Sequence, residues 1–369
     1  MIGRSGYVVC AATVGAMNIS AQKAAATSLF NSGGIGSGYP QVTLRLPSGP
    51  RTRSSAELVA MAVLVLPTSP FVERQLVALR AAAPNERIFT DPASAPPDEI
   101  EAILAFRIAP GIAPRFPALR FIACAGAGAD DLLATPDLPV HVPVSRAIDP
   151  QQGARMAQYV ALMALRHFRE LPRLEAQQRE ARWHRPPPAS EADFPVGVMG
   201  FGSIGAPIVD VMSRLGFPVS VWTRTAHPIE GATAFVGPDA LAAFLDRSRI
   251  LVCALPLTAD TQGLLDTKAL RRLPRGAHVI NVSRGRVLRE VDLVAAIDAG
   301  RIDGATLDVF ETEPLPEDSP LWRHPKILCT PHVAAEPRAE VAAALFVENL
   351  RRARNGLPLV NQVDRARGY

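Results

Sequence analysis

From Met61 onward, the chain alternates short apolar runs with longer stretches in which apolar residues recur every three or four positions. The short runs are bounded by turn-forming or helix-breaking residues, and they predict buried strands. In chain order the first four are VLVLP, EAILAF, RFIACAG and VPVSR. The stretch VERQLVALRAAAP, between the first two runs, predicts an amphipathic helix. Strands that alternate with helices are typical of βαβ units and predict a mostly parallel sheet.

The same alternation of strand-like and helix-like stretches starts again after a proline-rich segment at residues 185–194. Before this segment, the stretch that begins at Met156 predicts one long helix, and after it residues 204–215 predict another. The later strand-like runs are VSVWT, ILVCALP, HVINVS, GATLDVF and KILCTP. A last amphipathic stretch, AEVAAALFVENLRRARNG, lies near the C-terminus. The pattern therefore predicts an α/β protein with two successive units, and we expect the last helix to return to the first unit.

Residues 1–60 differ from the rest of the chain because they are rich in Gly, Ser and Ala and have no sustained helix or strand period. We interpret residues 1–60 as a disordered extension, or as the product of a start codon set upstream of the true one. Arg4 followed by an apolar run faintly resembles a signal peptide, and this is the alternative interpretation.

Net charge and cysteine content limit the classes of partner and metal site that can be expected. The formal net charge is +4, but the excess of basic residues lies within residues 1–60, and the remainder is balanced. The composition therefore gives no reason to expect nucleic acid as a partner, and no apolar run reaches the length of a membrane span. Cys124, Cys253 and Cys329 lie in or beside apolar runs and lack metal-site spacing. We interpret these cysteines as reduced core residues of a cytoplasmic protein without a metal site.

The run VGVM is followed by GFGSIG, which has the spacing G-x-G-x-x-G at Gly200, Gly202 and Gly205. Such a turn, with Ser203 and Ile204 inside it, places a dinucleotide pyrophosphate on a helix N-terminus. The motif alone is weak, and a tight strand-to-helix turn without a ligand is the alternative. The strand before it and the helix after it strengthen the prediction of a cofactor site.

Three successive strand-like runs lead to an arginine, a carboxylate and a histidine, namely Arg284, Glu313 and His332. In open α/β sheets, ligands bind beyond the carboxyl ends of the strands. Taken singly, the three side chains could be a solvated charge, a turn carboxylate and a buried histidine. Together they suit reduction of a 2-oxo acid, because an arginine fork binds a carboxylate and a histidine held by a carboxylate donates a proton.

The segments NVSRG, LDVFETEPLP and TPHVAA, behind GFGSIG, resemble the D-isomer-specific 2-hydroxyacid dehydrogenases. SPLWRHP and the terminal VDRARGY resemble more particularly the bacterial glyoxylate/hydroxypyruvate reductase A branch of this family. The resemblance implies two Rossmann-like or flavodoxin-like domains with parallel, doubly wound sheets and an active site in the cleft between them. It places a split substrate-binding domain at residues 61–152 and 331–369, and an inserted dinucleotide-binding domain at residues 153–330.

The resemblance also assigns roles to individual residues. Arg284 would bind the substrate, His332 would donate the proton and Glu313 would be its partner. The substrate carboxylate would contact the backbone of Ala127 and Gly128 in ACAGAGADD, although the motif alone indicates only a glycine turn. Further cofactor contacts are expected at Leu255, Pro256 and Thr261 on the adenosine side and at Asp308 near the nicotinamide. For Asp308, the alternative is a capping acid.

Two positions depart from the family pattern. Gln158 stands where many members have a glutamate, which puts in doubt a polar contact in the interdomain hinge. Arg107 lies in a segment that is not a close match, FRIAPG, and its side chain either faces the substrate or is solvated.

The end of the second strand of the cofactor unit indicates which nicotinamide cofactor is used. NAD-specific members carry an acid there that binds the ribose hydroxyls. Here the position is Thr223, and its neighbours Arg224 and Thr225 are suited to a 2′-phosphate. We therefore expect NADP as the cofactor, with NADPH preferred, and use of both NADP and NAD as the alternative.

The sequence thus predicts NADPH-dependent reduction of glyoxylate to glycolate and of hydroxypyruvate to D-glycerate. Reduction of another small 2-oxo acid, or a nucleotide-sensing role like that of corepressors in the family, remain the alternatives. The resemblance further implies a homodimer through the cofactor domain, with contacts from the arm around Trp183, and the alternative is that Trp183 is an ordinary surface tryptophan.

Overall fold

The computed structural model describes residues 61–67, 70–226 and 228–366. Two parallel sheets, of five and seven strands, carry the described part of the chain. The expectations for residues 1–60 lie outside the described residues.

The first sheet has the strand order β2-β1-β3-β4-β5, and every neighbouring pair is parallel. Its strands are β1 (Ala62–Val65), β2 (Arg87–Phe89), β3 (Ile100–Ala105), β4 (Phe121–Cys124) and β5 (Val144–Arg146). Helix α1 (Pro70–Ala82) joins β1 to β2, and the short helix α2 (Asp130–Leu133) follows β4. Strands β1, β3 and β4 are buried along their whole length, because helices or loops cover both faces of the sheet. This explains why they are apolar runs in the sequence, apart from Glu101 in β3.

The second sheet has the order β12-β11-β10-β9-β6-β7-β8 and is also parallel throughout. Its strands are β6 (Val196–Met199), β7 (Val219–Thr223), β8 (Ala232–Val236), β9 (Ile250–Cys253), β10 (Ala277–Asn281), β11 (Ile302–Leu307) and β12 (Ile327–Cys329). The chain runs outward in one direction from β6 to β8 and then in the other from β9 to β12. The switch point therefore lies between β6 and β9, where the diverging loops leave a crevice for a ligand.

Helices cover both faces of the second sheet. They are α3 (Gln152–Phe168), α5 (Gly205–Arg214), α6 (Leu241–Leu245), α7 (Thr267–Arg272) and α8 (Glu290–Asp298), while α4 (Leu171–Arg179) follows α3 and contacts it. Side chains of α3 and α5 share one apolar core with the sheet, and those of α6, α7 and α8 share the other. Short 3₁₀ turns lie at Ala113–Arg115, Glu191–Asp193, Pro238–Ala240, Gly285–Val287 and Pro320–Arg323.

The last helix, α9 (Ala339–Arg354), packs on the first sheet rather than on the second. Phe346 of α9 is buried, and its ring centroid lies 5.5 Å from that of Phe121 in β4. At the end of the helix, Arg354 donates from Nε to Oε1 of the buried Glu101 at 2.8 Å. The chain thus leaves the first sheet before α3 and comes back to it at α9. The domain limits given above stay a prediction.

Three elements differ from the sequence-based expectations. The edge strands β2 and β8 were not predicted, because both are largely exposed and lack an apolar run. The helix expected from Met156 begins at Gln152 and ends at Phe168, and α4 follows it after a break at Glu170, whose φ is 50°. Within the described ranges, no helix combines the length and apolarity that crossing a bilayer would require.

Candidate active site

A cleft of about 1930 Å³ runs along the carboxyl ends of the strands of both sheets. All of the site residues predicted from the sequence line this cleft. They are Ala127, Gly128, Gly200, Gly202, Ser203, Ile204, Gly205, Thr223, Arg224, Thr225, Leu255, Pro256, Thr261, Arg284, Asp308, Glu313 and His332. Some of these residues expose groups that could bind a ligand, whereas the polar groups of others already make hydrogen bonds within the protein.

The glycine turn between β6 and α5 shows why each glycine is needed. Gly200 has a φ of 99°, a conformation that side-chain-bearing residues rarely adopt. A Cβ on Gly205 would lie 2.0 Å from the carbonyl oxygen of Gly200, so the helix can approach the turn only without one. A Cβ on Gly202 would meet no atom within 4 Å, because this residue faces the open cleft.

The backbone of this turn has the character of an anion site. Across the described chain, no hydrogen-bond partner is recorded for the N–H groups of Gly202, Ser203 and Ile204. These N–H groups stand at the N-terminus of α5, where the helix dipole also favours a negative charge. The open space beside Gly202 and the available N–H groups fit a dinucleotide pyrophosphate.

Gly153 supports the turn from the other side and was not predicted from the sequence. A Cβ on this residue would lie 2.4 Å from the carbonyl oxygen of Ser203 and 2.8 Å from the ring of Pro207. The first turn of α3 can therefore lie directly on the glycine turn. No sequence signal marked this contact, because residues 153 and 203 are close only in the folded chain.

The predicted cofactor residues at the end of β7 lie at one end of the cleft. Thr223 is buried, and its hydroxyl donates to the carbonyl oxygen of Thr225, so it closes a turn. Trp222 donates from Nε1 to the carbonyl oxygen of Gly237 at 2.8 Å and fixes the neighbouring loop. The exposed side chains of Arg224 and Thr225 lie beside this turn and border the cleft. This end of the cleft therefore presents a cation and hydroxyl groups, and residues 222–226 include no acid.

Leu255, Pro256 and Thr261 belong to a turn after β9 that borders the same part of the cleft. The Thr261 hydroxyl donates to the carbonyl oxygen of Pro256 at 2.7 Å and accepts from the N–H of Thr258 at 2.8 Å. Thr261 thus shapes the turn, while the side chains of Leu255 and Pro256 give the cleft an apolar wall.

The loop after β4, residues 126–129, turns its carbonyl groups toward the protein. The Gly126 oxygen accepts from the N–H of Ala147 at 3.0 Å, the Ala127 oxygen from Arg146 Nη1 at 3.3 Å, and the Gly128 oxygen from Cys124 Sγ at 3.2 Å. In the described part of the chain, the N–H groups of Ala127 and Gly128 have no recorded partner. This loop, which we call the substrate loop, therefore offers backbone donors to an anion in the cleft. Burial raises the pKa of Cys124 to about 11, so its side chain remains a neutral thiol behind the loop.

Arg284 follows β10 and reaches across the cleft to the substrate loop. Its Nε donates to both carboxylate oxygens of Asp130, at 2.9 Å and 3.1 Å, and its Nη1 donates to the carbonyl oxygen of Ser283 at 2.8 Å. The guanidinium lies on the α-carbon of Gly128, where a Cβ would come within 1.5 Å of Nη2. Asp130 was not predicted from the sequence, although it directly follows the glycine motif of the loop.

His332 and Glu313, which the sequence predicted to be partners, are in contact. Nδ1 of His332 lies 2.8 Å from Oε2 of Glu313, which directs Nε2 away from the carboxylate. Oε1 of Glu313 accepts from the N–H of Phe310 at 3.0 Å. Burial opposes ionisation of Glu313, but the hydrogen bond and charge of His332, with smaller effects of Phe310 and Arg284, outweigh it. The pKa of Glu313 is therefore held below its ordinary value.

Asp308 holds the turn that carries His332. Its Oδ1 accepts from the Thr330 hydroxyl at 2.6 Å and from the N–H of Val333 at 3.0 Å, and its Oδ2 accepts from the N–H of Ala334 at 2.9 Å. Burial raises the pKa of Asp308, and these hydrogen bonds only partly offset that effect. The contacts are those of a capping acid, which was the alternative for this residue. A contact between Asp308 and the nicotinamide stays a prediction.

The remaining candidates lie at the margins of the site. Arg107 borders the cleft, and it donates from Nε and Nη2 to Oδ2 of Asp131, at 2.9 Å and 2.7 Å, so it is neither fully solvated nor unpaired. Gln158 lies on the exposed side of α3, and the Trp183 side chain is exposed on the segment after α4. Neither Gln158 nor Trp183 borders the cleft.

Comparison with known proteins identifies the type of site. A family model described as "D-isomer specific 2-hydroxyacid dehydrogenase, NAD binding domain" matches residues 161–334. The glyoxylate/hydroxypyruvate reductase A of Salmonella heidelberg (strain SL476) is 39% identical over 256 residues, which is 68% of this chain and 82% of that protein. The chain belongs to the D-isomer-specific 2-hydroxyacid dehydrogenase family. The resemblance seen in the sequence is thus confirmed.

Solved structures of this dehydrogenase family share the fold. A family member from Xanthobacter autotrophicus Py2, solved in complex with NADPH and MES, is 42% identical, with a TM-score of 0.77 over 84% of this chain and 100% of that one. The NADPH-dependent glyoxylate/hydroxypyruvate reductase of Sinorhizobium meliloti, solved with NADP and sulfate, is 34% identical, with the same TM-score of 0.77 and the same coverage. The expected two-domain α/β fold and the assignment of the chain as a 2-hydroxyacid dehydrogenase are therefore confirmed.

Proposed function

We propose that this dehydrogenase reduces glyoxylate to glycolate and hydroxypyruvate to D-glycerate, with NADPH as the preferred hydride donor. The observation that carries the proposal is the convergence of three groups on one cleft. These groups are Arg284 with the substrate loop, the His332–Glu313 pair, and the glycine turn with its available N–H groups. The similarity to glyoxylate/hydroxypyruvate reductases supports this choice of substrate.

The cofactor would lie along the second sheet. The N–H groups of Gly202, Ser203 and Ile204 would hold its pyrophosphate, and Leu255 with Pro256 would cover its adenosine side. When bound, NADPH supplies the hydride that adds to the carbonyl carbon of the substrate. The available space beside Gly202 and the dipole of α5 are the features of this chain that favour the assignment.

The substrate would be oriented by its carboxylate. The N–H groups of Ala127 and Gly128 and the guanidinium of Arg284 would bind this carboxylate from two sides. This arrangement would direct the 2-oxo group toward His332. As the hydride adds to the carbon, the carbonyl oxygen would take the proton from Nε2 of His332, and the product is a 2-hydroxy acid.

Glu313 would act through His332 rather than on the substrate. Its carboxylate fixes Nδ1 as the proton-bearing, non-reacting nitrogen and stabilises the imidazolium before proton transfer. Asp308 would hold the same turn through Thr330 and the backbone, so that the imidazole keeps its position in the cleft.

The preference for NADPH is proposed from the end of β7. An acid at this position would repel a 2′-phosphate, and Arg224 instead offers a guanidinium that binds phosphate oxygens. The hydroxyl group of Thr225 lies next to it and adds a second donor. The relatives from X. autotrophicus and S. meliloti, which were solved with NADPH and NADP, support this proposal.

We also propose the domain and subunit organisation that the family resemblance implies. Residues 61–152 and 331–369 would form the substrate-binding domain around the inserted dinucleotide-binding domain of residues 153–330. The packing of α9 on the first sheet supports the split. A homodimer through the cofactor domain would cover Trp183, whose side chain is 89% exposed in the single chain. A monomeric mass in solution scattering would contradict the dimer.

The reaction is tested by following NADPH oxidation with glyoxylate, hydroxypyruvate and other small 2-oxo acids. The variant His332→Ala should lose about 10²- to 10⁴-fold in kcat, because it lacks the proton donor, and should keep its affinity for NADPH. His141→Ala is the matched control, since this exposed histidine is remote from the cleft. A near-normal kcat of His332→Ala would refute the assignment of the donor, and a wild-type enzyme inactive on every 2-oxo acid would refute the reaction.

The cofactor preference is tested at Arg224. We expect Arg224→Ala to raise the KM for NADPH by about 10- to 150-fold, which corresponds to about 1.5–3 kcal/mol for a lost charge-assisted hydrogen bond, with little change for NADH. Arg214→Ala serves as control, because this arginine is exposed on α5 and pairs with Asp210. Equal effects on both cofactors, or a wild-type preference for NADH, would overturn the proposal.

A further inference from the structure

We propose that Asp130 is a positioning residue that holds Arg284 against the substrate loop, so that the two together form one cradle for the carboxylate of the 2-oxo acid. The inference rests on the proposed function, in which Arg284 binds that carboxylate. It adds a role for an acidic side chain at a place where a negative charge would otherwise disfavour an anionic substrate.

The first observation is the geometry of the pair. Both oxygens of Asp130 accept from Nε of Arg284, at 2.9 Å and 3.1 Å, so the carboxylate contacts the edge of the guanidinium and not its outer end. The carbonyl oxygen of Ser283 holds Nη1 at 2.8 Å. Among the hydrogen bonds of the described residues, none is recorded for Nη2. The guanidinium is therefore fixed at two of its nitrogens, and its third nitrogen remains available for a ligand.

The second observation is the fit of the pair on Gly128. A Cβ on this residue would lie 1.5 Å from Nη2 and 2.7 Å from Cζ of Arg284, and 3.0 Å from Oδ1 of Asp130. The guanidinium and the carboxylate thus both rest on the α-carbon of the substrate loop. Nη2 consequently lies against the backbone of Gly128, whose N–H group, like that of Ala127, has no recorded partner within the described chain. Donors that follow strands of both sheets are thus brought close together.

The third observation is the position of the pair in the fold. Asp130 lies at the start of α2, after β4 of the first sheet, and Arg284 follows β10 of the second sheet, 154 residues later. Both side chains are largely buried, with exposed fractions of 24% for Arg284 and 17% for Asp130. The ion pair therefore joins the two walls of the cleft at the proposed substrate site.

Charge and geometry make opposite predictions for removal of Asp130. If its negative charge mainly weakened anion binding, its loss would lower the KM for a 2-oxo acid, because Arg284 would carry an uncompensated charge. If its main effect is to hold the guanidinium in place, its loss would raise KM and lower kcat, because a long, rotamer-rich side chain would have to be ordered when the substrate binds. The two contacts to Nε and the close fit on Gly128 favour the second outcome.

The neighbouring residue offers a matched control. Asp131 carries the same charge one position later, but it pairs with Arg107, whose side chain is 51% exposed. Removal of Asp131 changes the net charge of the loop by the same amount and leaves the Arg284 contact intact. Any effect that Asp130→Ala shows beyond Asp131→Ala therefore reports the position of Arg284.

The experiment compares Asp130→Ala, Asp130→Asn and Asp131→Ala with the wild type. We expect kcat/KM for glyoxylate to fall by about 10- to 100-fold in Asp130→Ala, with KM raised and kcat lowered. Asp130→Asn keeps an oxygen acceptor for Nε and should recover part of the loss, and Asp131→Ala should stay within about twofold of the wild type. The Kd for NADPH should change little in all three variants. A lower KM in Asp130→Ala, or equal effects of Asp130→Ala and Asp131→Ala, would overturn the inference.

A second readout separates this inference from the proposed function. The Nε–H resonance of Arg284, assigned by its absence from Arg284→Lys, should be protected from solvent exchange in the wild type and in Asp131→Ala, but not in Asp130→Ala. This measurement needs no turnover. If the wild type reduces no 2-oxo acid, the proposed function fails while the resonance still tests the bond. If the wild type is active and the resonance is unprotected, the positioning role fails and the proposed function stands.

Discussion

Substitution of alanine at two glycines of the same turn should have different consequences, weakened cofactor binding at one position and lost stability at the other. In Gly202→Ala, the new Cβ would meet no protein atom within 4 Å, so the fold has room for it. In Gly205→Ala, the new Cβ would lie 2.0 Å from the carbonyl oxygen of Gly200, a backbone atom that cannot rotate away. The two variants introduce the same methyl group, and only its surroundings differ.

The expected magnitudes follow from those surroundings. Gly202→Ala should change the free energy of unfolding by less than about 1 kcal/mol, and the loss of backbone freedom in the unfolded chain favours a small gain. Its methyl group would stand where the pyrophosphate must approach the backbone, so we expect the Kd for NADPH to rise at least about tenfold, or about 1.4 kcal/mol. Gly205→Ala forces α5 away from the turn and should cost about 1–3 kcal/mol of stability or more.

Thermal unfolding without cofactor measures the first quantity, and NADPH fluorescence titration measures the second. The expected pattern for Gly202→Ala is an unchanged Tm with weakened binding, and the expected pattern for Gly205→Ala is a lowered Tm. If Gly202→Ala binds NADPH as tightly as the wild type does, the pyrophosphate does not approach this turn. If Gly205→Ala keeps the wild-type Tm, the close approach of α5 to Gly200 is not a constraint on the fold.

Two further predictions concern the parts of the chain that hold the site together. Phe346→Ala should lower the free energy of unfolding by about 3–5 kcal/mol, because it leaves a cavity against Phe121 where α9 packs on the first sheet. Chemical denaturation measures this loss, and a value below about 1 kcal/mol would contradict that packing. Burial opposes ionisation of Asp149, but hydrogen bonds from Arg338 and Arg155 outweigh it and hold its pKa well below the ordinary value. Since the folded-state pKa is depressed, the wild type should be more stable than Asp149→Asn, and this difference should be full above about pH 4 and disappear as the pH falls further. A difference in Tm that is independent of pH would refute this account.

Much of this protein could be predicted from local sequence patterns. Buried parallel strands such as β1, β3 and β4 contact helices or loops on both faces, so their residues are apolar apart from Glu101 in β3, which pairs with Arg354. The glycine turn between β6 and α5 could be located for a similar reason, because positive φ at Gly200 and close helix approach at Gly205 restrict these positions to glycine.

The approximate location of the reactive side chains could also be predicted from the sequence. Arg284, Glu313 and His332 follow successive strands, and the carboxyl ends of parallel strands lie along one edge of a sheet. That placement could be inferred without coordinates. The edge strands β2 and β8 could not be found in the same way, since neither contains a buried residue and neither forms a distinct apolar run.

Only the tertiary structure decided which side chains meet. Asp130 and Arg284 are 154 residues apart and follow strands of different sheets, and nothing in their local sequence specifies their pairing. Gly153 lies against Ser203 because α3 packs on the glycine turn. Asp308 holds the turn of His332 because β11 and β12 are neighbours. Hydrophobic period and turn residues depend on local backbone conformation and burial, whereas contacts between distant segments depend on how complete elements pack together. The reactive residues could therefore be predicted from the sequence. The residues that position them could not, because packing between elements far apart in the chain brings them together.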